Sequence, residues 1–425
     1  MSDKHAEDSP GKTVEEKPEP ASTSEPPAER EATPQTAPAP APALAPTSAE
    51  TSPAPAQTSA ESSTTPAQTP AETETTPAPA PAPASPETAP TPAPLLPPQH
   101  WAHAAEDLPG DDDADSTFDD VQSSTASITS SILKYRTILG RRFHSEQGEA
   151  HYWGSNDEQQ NEAMDINHHV QSLGLDGKLY LAPLDPEKVK KVVDIGTGTG
   201  IWAIDFADEF PGADVVGTDI SPIQPSWVPP NLEFQIDDCT REWTFAENSL
   251  DYVHIRFLSG CIADWNAMFA QAYRCLKPGG IIETMEPSAY IESDDNTIQE
   301  TDAMGQWGKI FVQGGEKMGR TFTVFQDKIQ NTALEAAGFV DLHEHKYRSP
   351  IGSWPKDPKL REIGQYAQLV MESDFEGLIL FMTNVLGGWT REEIQVYAAH
   401  LRREIRSGKK HGWYWQKIVW ARKPE

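Results

Sequence analysis

Downstream of residue 188, short apolar runs alternate with amphipathic stretches each long enough for one helix. The runs VKKVVDI (189–195), ADVVGTDI (213–220), LEFQID (232–237), LDYVHIRF (250–257) and GGIIETMEP (279–287) are β-branched-rich and too short for helices, so they predict strands. Strand–helix alternation of this kind predicts a parallel sheet covered on both faces. Beyond Pro287 the apolar spacing is helical through DNTIQETDAMGQWGKIFVQGG and TFTVFQDKIQNTALEAAG, where Gly338 supplies a C-cap. A strand over 339–351 follows, then one helix from KLREIGQYAQLVMESDFEGLILFMT and another from TREEIQVYAAHLRREIRS, then a last strand over 412–423. The two closing strands are expected to pair antiparallel at one sheet edge, with the helices between them covering the site.

Upstream, Ile128, Ile132, Leu133, Tyr135, Ile138 and Leu139 fall near helical spacing and predict a helix from Ser123 to Phe143. The polar and aromatic stretch 151–184 predicts a loop followed by a helix over Glu158–Leu173. The aromatic YWGSND loop is expected to pack beside the ligand cleft as a lid.

Composition separates the first third from this pattern. Residues 1–100 hold 24 of the 38 prolines, among Ala, Thr, Ser and Glu, with scarcely an aliphatic or aromatic side chain. Such a segment cannot bury enough apolar surface to offset its ordering entropy. The expected organisation is a disordered acidic Pro/Ala/Thr/Glu-rich tail over 1–122, an N-terminal helical lid segment over 123–188, and one α/β domain over 189–425. Its proline spacing suits an extended spacer or a ligand for proline-reading domains.

The net charge of −31 is uneven, with 22 acids against 4 bases in residues 1–130 and 43 against 30 in the rest. Neither part offers the basic face that gripping phosphates requires, so no direct nucleic-acid binding is expected. Cys239, Cys261 and Cys275 show no CxxC spacing and read as small core residues, with neither a metal nor a disulfide expected. The start MSDKHAEDSP lacks an apolar leader, and LILFM near residue 380 is too short to span a bilayer. An intracellular location, nucleus and/or cytoplasm, is expected; Lys409-Lys410 beside Arg406 is too short a basic cluster to fix a nuclear address.

The chemistry concentrates at DIGTGTG, Asp194 to Gly200, where a Val-rich strand ends and the helical stretch IWAIDFADEF begins. A strand, a glycine turn and a helix bring backbone amides and a positive dipole end to the sheet mouth. Gly196, Thr197, Gly198 and Gly200 are the candidate cradle, and Ile201 stands where a dinucleotide fingerprint requires its third glycine. Asp219, followed by Ile220, ends the second strand 25 residues after Asp194, where a carboxylate accepts ribose hydroxyls of S-adenosylmethionine (SAM) or of NAD. The third strand ends in Asp237-Asp238, a position suited to an adenine amino group, and LKPGG (276–280) leads into the fifth strand.

Together these four features resemble the class I SAM-dependent methyltransferases. The narrower stretches GTGTGIWAIDFADEFP, GTDISPIQPSWVPPNLEFQIDD, DYVHIRFLSGCIADW and the terminal ARKP, with YWGSND, INHH and GKLYLAPL upstream, resemble the fungal LaeA-like methyltransferases over roughly residues 133–424. The resemblance implies a doubly wound seven-stranded Rossmann-like fold, mostly parallel with an antiparallel last strand and helical lid elements. It also implies SAM as cofactor, fungal origin, and a role in regulating secondary metabolism or development with velvet-domain partners. Tailoring enzymes of metabolite clusters belong to the same family, so a small-molecule O-methyltransferase is the alternative. A SAM-binding scaffold without catalysis is a third.

Methyl transfer from a sulfonium is an in-line displacement that needs alignment, plus a base if the nucleophile is protonated. His254 and Arg256 share one strand face near the mouth of the sheet. Either they meet substrate, or His254 is bonded in the core and Arg256 pairs with Glu283 or Glu286. Glu286 and Tyr290, at and just after the fifth strand's end, are candidates of the same kind. HIRFL stands where a (D/N)PPY run would support amino-nitrogen methylation, and nothing resembles SET-domain motifs. Trp153, Trp227, Trp243, Trp265, Trp307, Trp354 and Trp389 lie where they either wall an apolar pocket or pack the core. The methyl acceptor and the oligomeric state are not written in these motifs.

Overall fold

The computed structural model describes residues 94–104, 135–144 and 152–425. The five expected parallel strands are present as β3 (Lys191–Ile195), β4 (Asp214–Asp219), β5 (Leu232–Ile236), β6 (Leu250–Arg256) and β7 (Leu276–Pro287). The closing strands are β8 (Val340–Pro350) and β9 (Trp413–Arg422). They form one sheet in the order β5-β4-β3-β6-β7-β9-β8, with β9 antiparallel to both neighbours. Strands are added outward from β3 through β4 to β5 and then on its other side from β6, so the ends of β3 and β6 flank a topological switch point, where ligands of open α/β sheets bind.

Period-two alternation divides the core between the two faces. Val193, Ile195, Val253 and Ile255 point one way, against α4 (Trp265–Cys275) and α6 (Ile329–Ala337). Val192 and Tyr252 point the other way, against α3 (Ile201–Glu209), whose Trp202, Phe206 and Phe210 stack with ring centroids 4.9 and 4.3 Å apart. Gly338 caps α6 at φ +99°, a left-handed conformation that costs glycine little.

A third cluster lies in a helical cap made of α5 (Ala303–Met318), α8 (Phe375–Leu386) and α9 (Arg391–Arg406), with α2 (Glu158–Gly174) and α7 (Pro358–Ser373) packed together beside it. Here the structure departs from the sequence pattern in three places. The expected single helix over 359–383 is two, because Asp374 (φ −149°) leaves the helical region and caps α8 by accepting from Gly377 N. The expected helix from Ser123 to Phe143 is, over the described residues 135–144, a hairpin of β1 (Arg136–Ile138) and β2 (Arg141–Phe143). Its turn, Leu139 (φ +48°) and Gly140 (φ +88°), has the paired positive φ values that suit the twist of a two-residue hairpin. The remainder of that expected helix, and the tail through residue 93, lie outside the described residues.

The third departure falls within the expected tail of 1–122. Helix α1 (Pro98–Ala104) and the residues before it lie on the cap: Trp101 is 2% exposed, edge-on to Tyr397 of α9 with centroids 5.0 Å apart. Leu96 N donates to Gln306 Oε1 of α5 at 2.7 Å, with Leu95 and Leu96 packed on the same cluster. Three apolar side chains in a proline-dense segment are enough to dock a short strap. No helix among the described residues is long and apolar enough to cross a membrane.

Candidate functional site

After β3 the chain turns through Gly196 (φ +70°), Gly198 (φ +59°) and Gly200 (φ +83°), and Gly200 caps α3. These glycines do different work. A Cβ on Gly200 would lie 2.2 Å from Phe234 Cζ and one on Gly196 2.7 Å from Leu258 Cδ2, so both keep the turn packed against the fold. A Cβ on Gly198 would meet only Met164 Sδ, at 3.5 Å, because this residue faces an open cleft. Asp219, at the end of β4, ties the loop in place: Oδ2 accepts from Gly198 N and Oδ1 from Ser221 N, both at 2.9 Å. Burial pushes Asp219 up to about 6, against the pull of these backbone donors.

The cleft has a volume of about 310 Å³. Of the cofactor-site residues expected from sequence, Gly196, Thr197, Gly198, Asp219, Ile220, Asp237 and Asp238 line it together. Asp194 and Gly200 stand behind the wall. Asp194 is 1% exposed; its Oδ1 accepts from His254 Nδ1 at 2.7 Å and its Oδ2 from Thr197 Oγ1 at 2.6 Å, so it orients the loop from beneath. Of the acidic pair, Asp238 is engaged at both oxygens, by Thr240 at Oδ1 and Arg241 at Oδ2. Asp237 spends one oxygen, accepting from Asp238 N.

The candidates for chemistry separate in the same way. His254 lies outside the cleft lining: it is 2% exposed, bonded to Asp194 and stacked on Trp202 with centroids 3.6 Å apart, and burial lowers its pKa. Glu286 also lies behind the wall. Its Oε1 accepts from Leu258 N, and its Oε2 from the backbone N and hydroxyl of Ser259, which fixes the loop after β6; burial pushes it up to about 7. Glu283, likewise about 7 through burial, accepts from Leu181 N and Ala182 N. Tyr290 is outside the lining as well. Arg256 does line the cleft, and pairs with neither glutamate: its Nη1 bonds Gln171 Oε1 and, at 3.1 Å, His168 Nδ1.

From the glycine loop the cleft continues into an apolar chamber between the sheet and the helical cap. Trp153, Ile291, Trp307, Phe311, Phe322 and Met371 wall it. Trp153 is held by Nε1 donating to Ser259 O at 2.9 Å, and its ring meets Phe311 and Phe322 edge-on. The YWGSND loop and α2 close the near side through Tyr152, Asn156, Gln160, Met164 and Gln171. Of the seven tryptophans singled out by sequence, Trp153 and Trp307 reach the chamber, whereas Trp243 and Trp265 are buried in the core cluster with α4 and Trp227 is 89% exposed. Beyond those two tryptophans, the YWGSND loop and the covering helices, sequence names no chamber wall; the spacing of Trp307 and Phe311, one helical turn apart, is a local signal for Phe311. The three cysteines are free; Cys261 and Cys275 are buried, while Cys239 and Cys261 border the cleft.

An adenosyl ligand fits what is present: a bare glycine backbone at 198, a recessed carboxylate at 219 with lone pairs to spare, and a second carboxylate, Asp237, farther along the same wall.

Comparison with known proteins places the chain among methyltransferases. Residues 166–344 match the model of a methyltransferase domain family. The chain is 35% identical over 313 residues to methyltransferase pytC of Aspergillus terreus, spanning 73% of this chain and 95% of that protein. It is 32% identical over 274 residues to the secondary metabolism regulator LAE1 of Cochliobolus heterostrophus, spanning 63% of this chain and 89% of that one. Among solved structures, phosphoethanolamine N-methyltransferase 2 of Haemonchus contortus in complex with S-adenosyl-L-methionine matches with a TM-score of 0.37 at 20% identity, covering 62% of this chain and 53% of that chain.

Proposed function

The chain belongs to the LaeA-like class I SAM-dependent methyltransferases, and on that premise we propose that it methylates an apolar small molecule seated in the chamber beneath the helical cap. The observation that carries this reading is the continuity of the cleft, which runs from Gly198 and Asp219 into walls of Trp153, Trp307, Phe311 and Phe322. A protein side chain needs an open groove for its flanking backbone, whereas a chamber walled by aromatic rings suits a compact apolar ligand.

In this reading Asp219 accepts the ribose hydroxyls, the Gly198 backbone lies against the nucleoside, and Asp237 accepts from the adenine amino group. SAM bound there supplies an electrophilic methyl group for in-line displacement. The chain contributes alignment: Trp153 and Phe311 exclude water and hold the acceptor's body, while α2 closes the near side. Incubation of the full chain with methyl-labelled SAM and fungal extract tests it. Label entering small organic-soluble molecules supports the proposal, and label entering protein alone overturns it.

The second reading is regulation of secondary metabolism with velvet-domain partners in the nucleus, supported by the likeness to proteins such as LAE1. Recovery of a stable velvet-type partner from native cells favours it. The two are compatible if the acceptor is itself a metabolite.

A further inference from the structure

Arg256 makes no ion pair with a described residue. Its Nη1 bonds two side chains of α2, Gln171 and His168, the latter oriented by Nε2 bonding Asp205 at 3.0 Å. Its Nε and Nη2 make no hydrogen bond to a described residue, and among the described residues no carboxylate lies within ion-pair distance. The acids that sequence offered as partners are committed elsewhere, Glu283 to the amides of Leu181 and Ala182 and Glu286 to the Leu258–Ser259 loop; nearby Asp194 is committed to His254 and Thr197. Burial lowers the pKa of Arg256. The guanidinium is half-buried, and its open donors suit an anion that reaches them from the cleft. This one lines the cleft, and Tyr414 of β9 lines the same cleft.

A second observation is independent of the first. Among the described residues that line the cleft there is no histidine, glutamate or lysine, and its three aspartates, Asp219, Asp237 and Asp238, all lie at the nucleoside end. The chamber therefore has no group placed to remove a proton from an acceptor. An acceptor that arrives already ionised needs no such group.

We propose that the acceptor carries an anionic oxygen, a carboxylate or an ionised acidic enol or phenol, on an apolar body, and that Arg256 is the residue that binds and positions it. This rests on the methyltransferase reading given above. The step balances without a base: the acceptor oxygen uses a lone pair to form the new O–C bond to the methyl group as the C–S bond breaks. That electron pair remains on sulfur, and an anion plus a sulfonium becomes a neutral ester or ether plus a neutral sulfide. No proton moves. The guanidinium raises anion affinity in the apolar chamber, and its open donors fix which oxygen faces the methyl group.

The test uses the full chain loaded with S-adenosylhomocysteine, and calorimetry with two probes of matched size, 2-naphthoate and neutral 2-naphthalenemethanol. The expected result is that naphthoate binds about tenfold or more tightly than the alcohol, the range of a charge-assisted hydrogen bond. Arg256→Gln should abolish that preference and Arg256→Lys should restore part of it. S-adenosylhomocysteine affinity and the melting temperature of both variants should stay at the wild-type level. Equal or absent binding of naphthoate by the wild type overturns the proposal. So does an Arg256→Gln variant that loses affinity for S-adenosylhomocysteine but not for 5′-methylthioadenosine, since Arg256 would then hold the amino-acid end of the cofactor. Failure of the wild type to bind S-adenosylhomocysteine at all is a different result, and overturns the cofactor site itself.

Discussion

Arg141, in the hairpin, donates from Nη1 to Asp374 Oδ1 at 2.6 Å while its Nε and Nη2 donate to the two oxygens of Asp157 at 2.7 Å. Each carboxylate is a helix N-cap: Asp157 accepts from Gln160 N at the start of α2, and Asp374 from Gly377 N at the start of α8. One guanidinium thus joins the first turns of two helices that both border the cleft, through Met164 and Gln171 on one and Leu378 on the other. Asp374 is 1% exposed, and it accepts from the Ser155 hydroxyl as well. Arg141→Ala should destabilise the domain by roughly 3–5 kcal/mol, the usual consequence of leaving a buried carboxylate unpaired. Denaturant unfolding of Arg141→Ala, Asp374→Asn and the double variant measures the coupling; strict additivity would show that the clamp contributes nothing.

The glycines of the loop should divide by function. Gly200→Ala drives a Cβ into Phe234 at a φ of +83°, so it should lower the melting temperature markedly. Gly198→Ala has room in the ligand-free protein, and its cost is the left-handed backbone plus the volume taken from the cleft. It should melt nearer the wild type yet bind SAM far more weakly. Melting curves and SAM titrations of the two variants give the comparison, and the reverse ranking would place the nucleoside away from Gly198.

Asp219 offers a pH signature. As a hydrogen-bond acceptor for ribose it works best ionised, and burial raises its pKa to about 6, so protonation competes with the ligand below that value. SAM affinity should therefore rise as pH increases through about 6 and level off above it, with Asp219→Asn flattening that step. Asp219→Ala should weaken SAM by roughly 1.5–3 kcal/mol, the range for a hydrogen bond to a charged group. A profile with no step near 6 in the wild type would remove Asp219 from the ribose.

The parts legible in sequence are those whose signal is local. β3, β4, β6 and the glycine turn follow from a period-two pattern that a glycine cluster interrupts, and Asp219 and Asp237 follow from their place at strand ends. What failed depends on partners far along the chain. The break at Asp374 is invisible in an unbroken apolar period, because the group that stabilises it, Arg141, lies 233 residues away. The hairpin at 136–143 was hidden by apolar residues that also fit helical spacing, although Leu139-Gly140 is a turn signal. His254 and Arg256 alternate on one strand face as sequence says, but only packing separates them: Trp202 covers the first and leaves the second open to the cleft.

The strap yields the last prediction. Reading proline density alone, removal of residues 1–120 should change nothing, since such a segment offers no apolar face. The structure puts Trp101, 2% exposed, against Tyr397, and ties Leu96 to Gln306 of α5, the helix whose Trp307 and Phe311 wall the chamber. Removing residues 1–93 should therefore leave the melting temperature and SAM affinity unchanged, whereas removing residues 1–104 should lower the melting temperature. Trp101→Ala in the full chain should reproduce most of that loss. Its cost should stay below the roughly 3–5 kcal/mol of a large aromatic deleted from a closed core, because a seven-residue helix can undock without unfolding the domain. Burial of Trp101 also braces α5 and α9 from outside, so loss of the strap should loosen the chamber and weaken apolar acceptors more than SAM, whose proposed seat is on the sheet side. Melting curves of the two truncations and of Trp101→Ala, with titrations of SAM and of naphthoate, decide it. Identical melting of the 93- and 104-residue deletions would show that the strap carries no stability and that the folded domain begins after it.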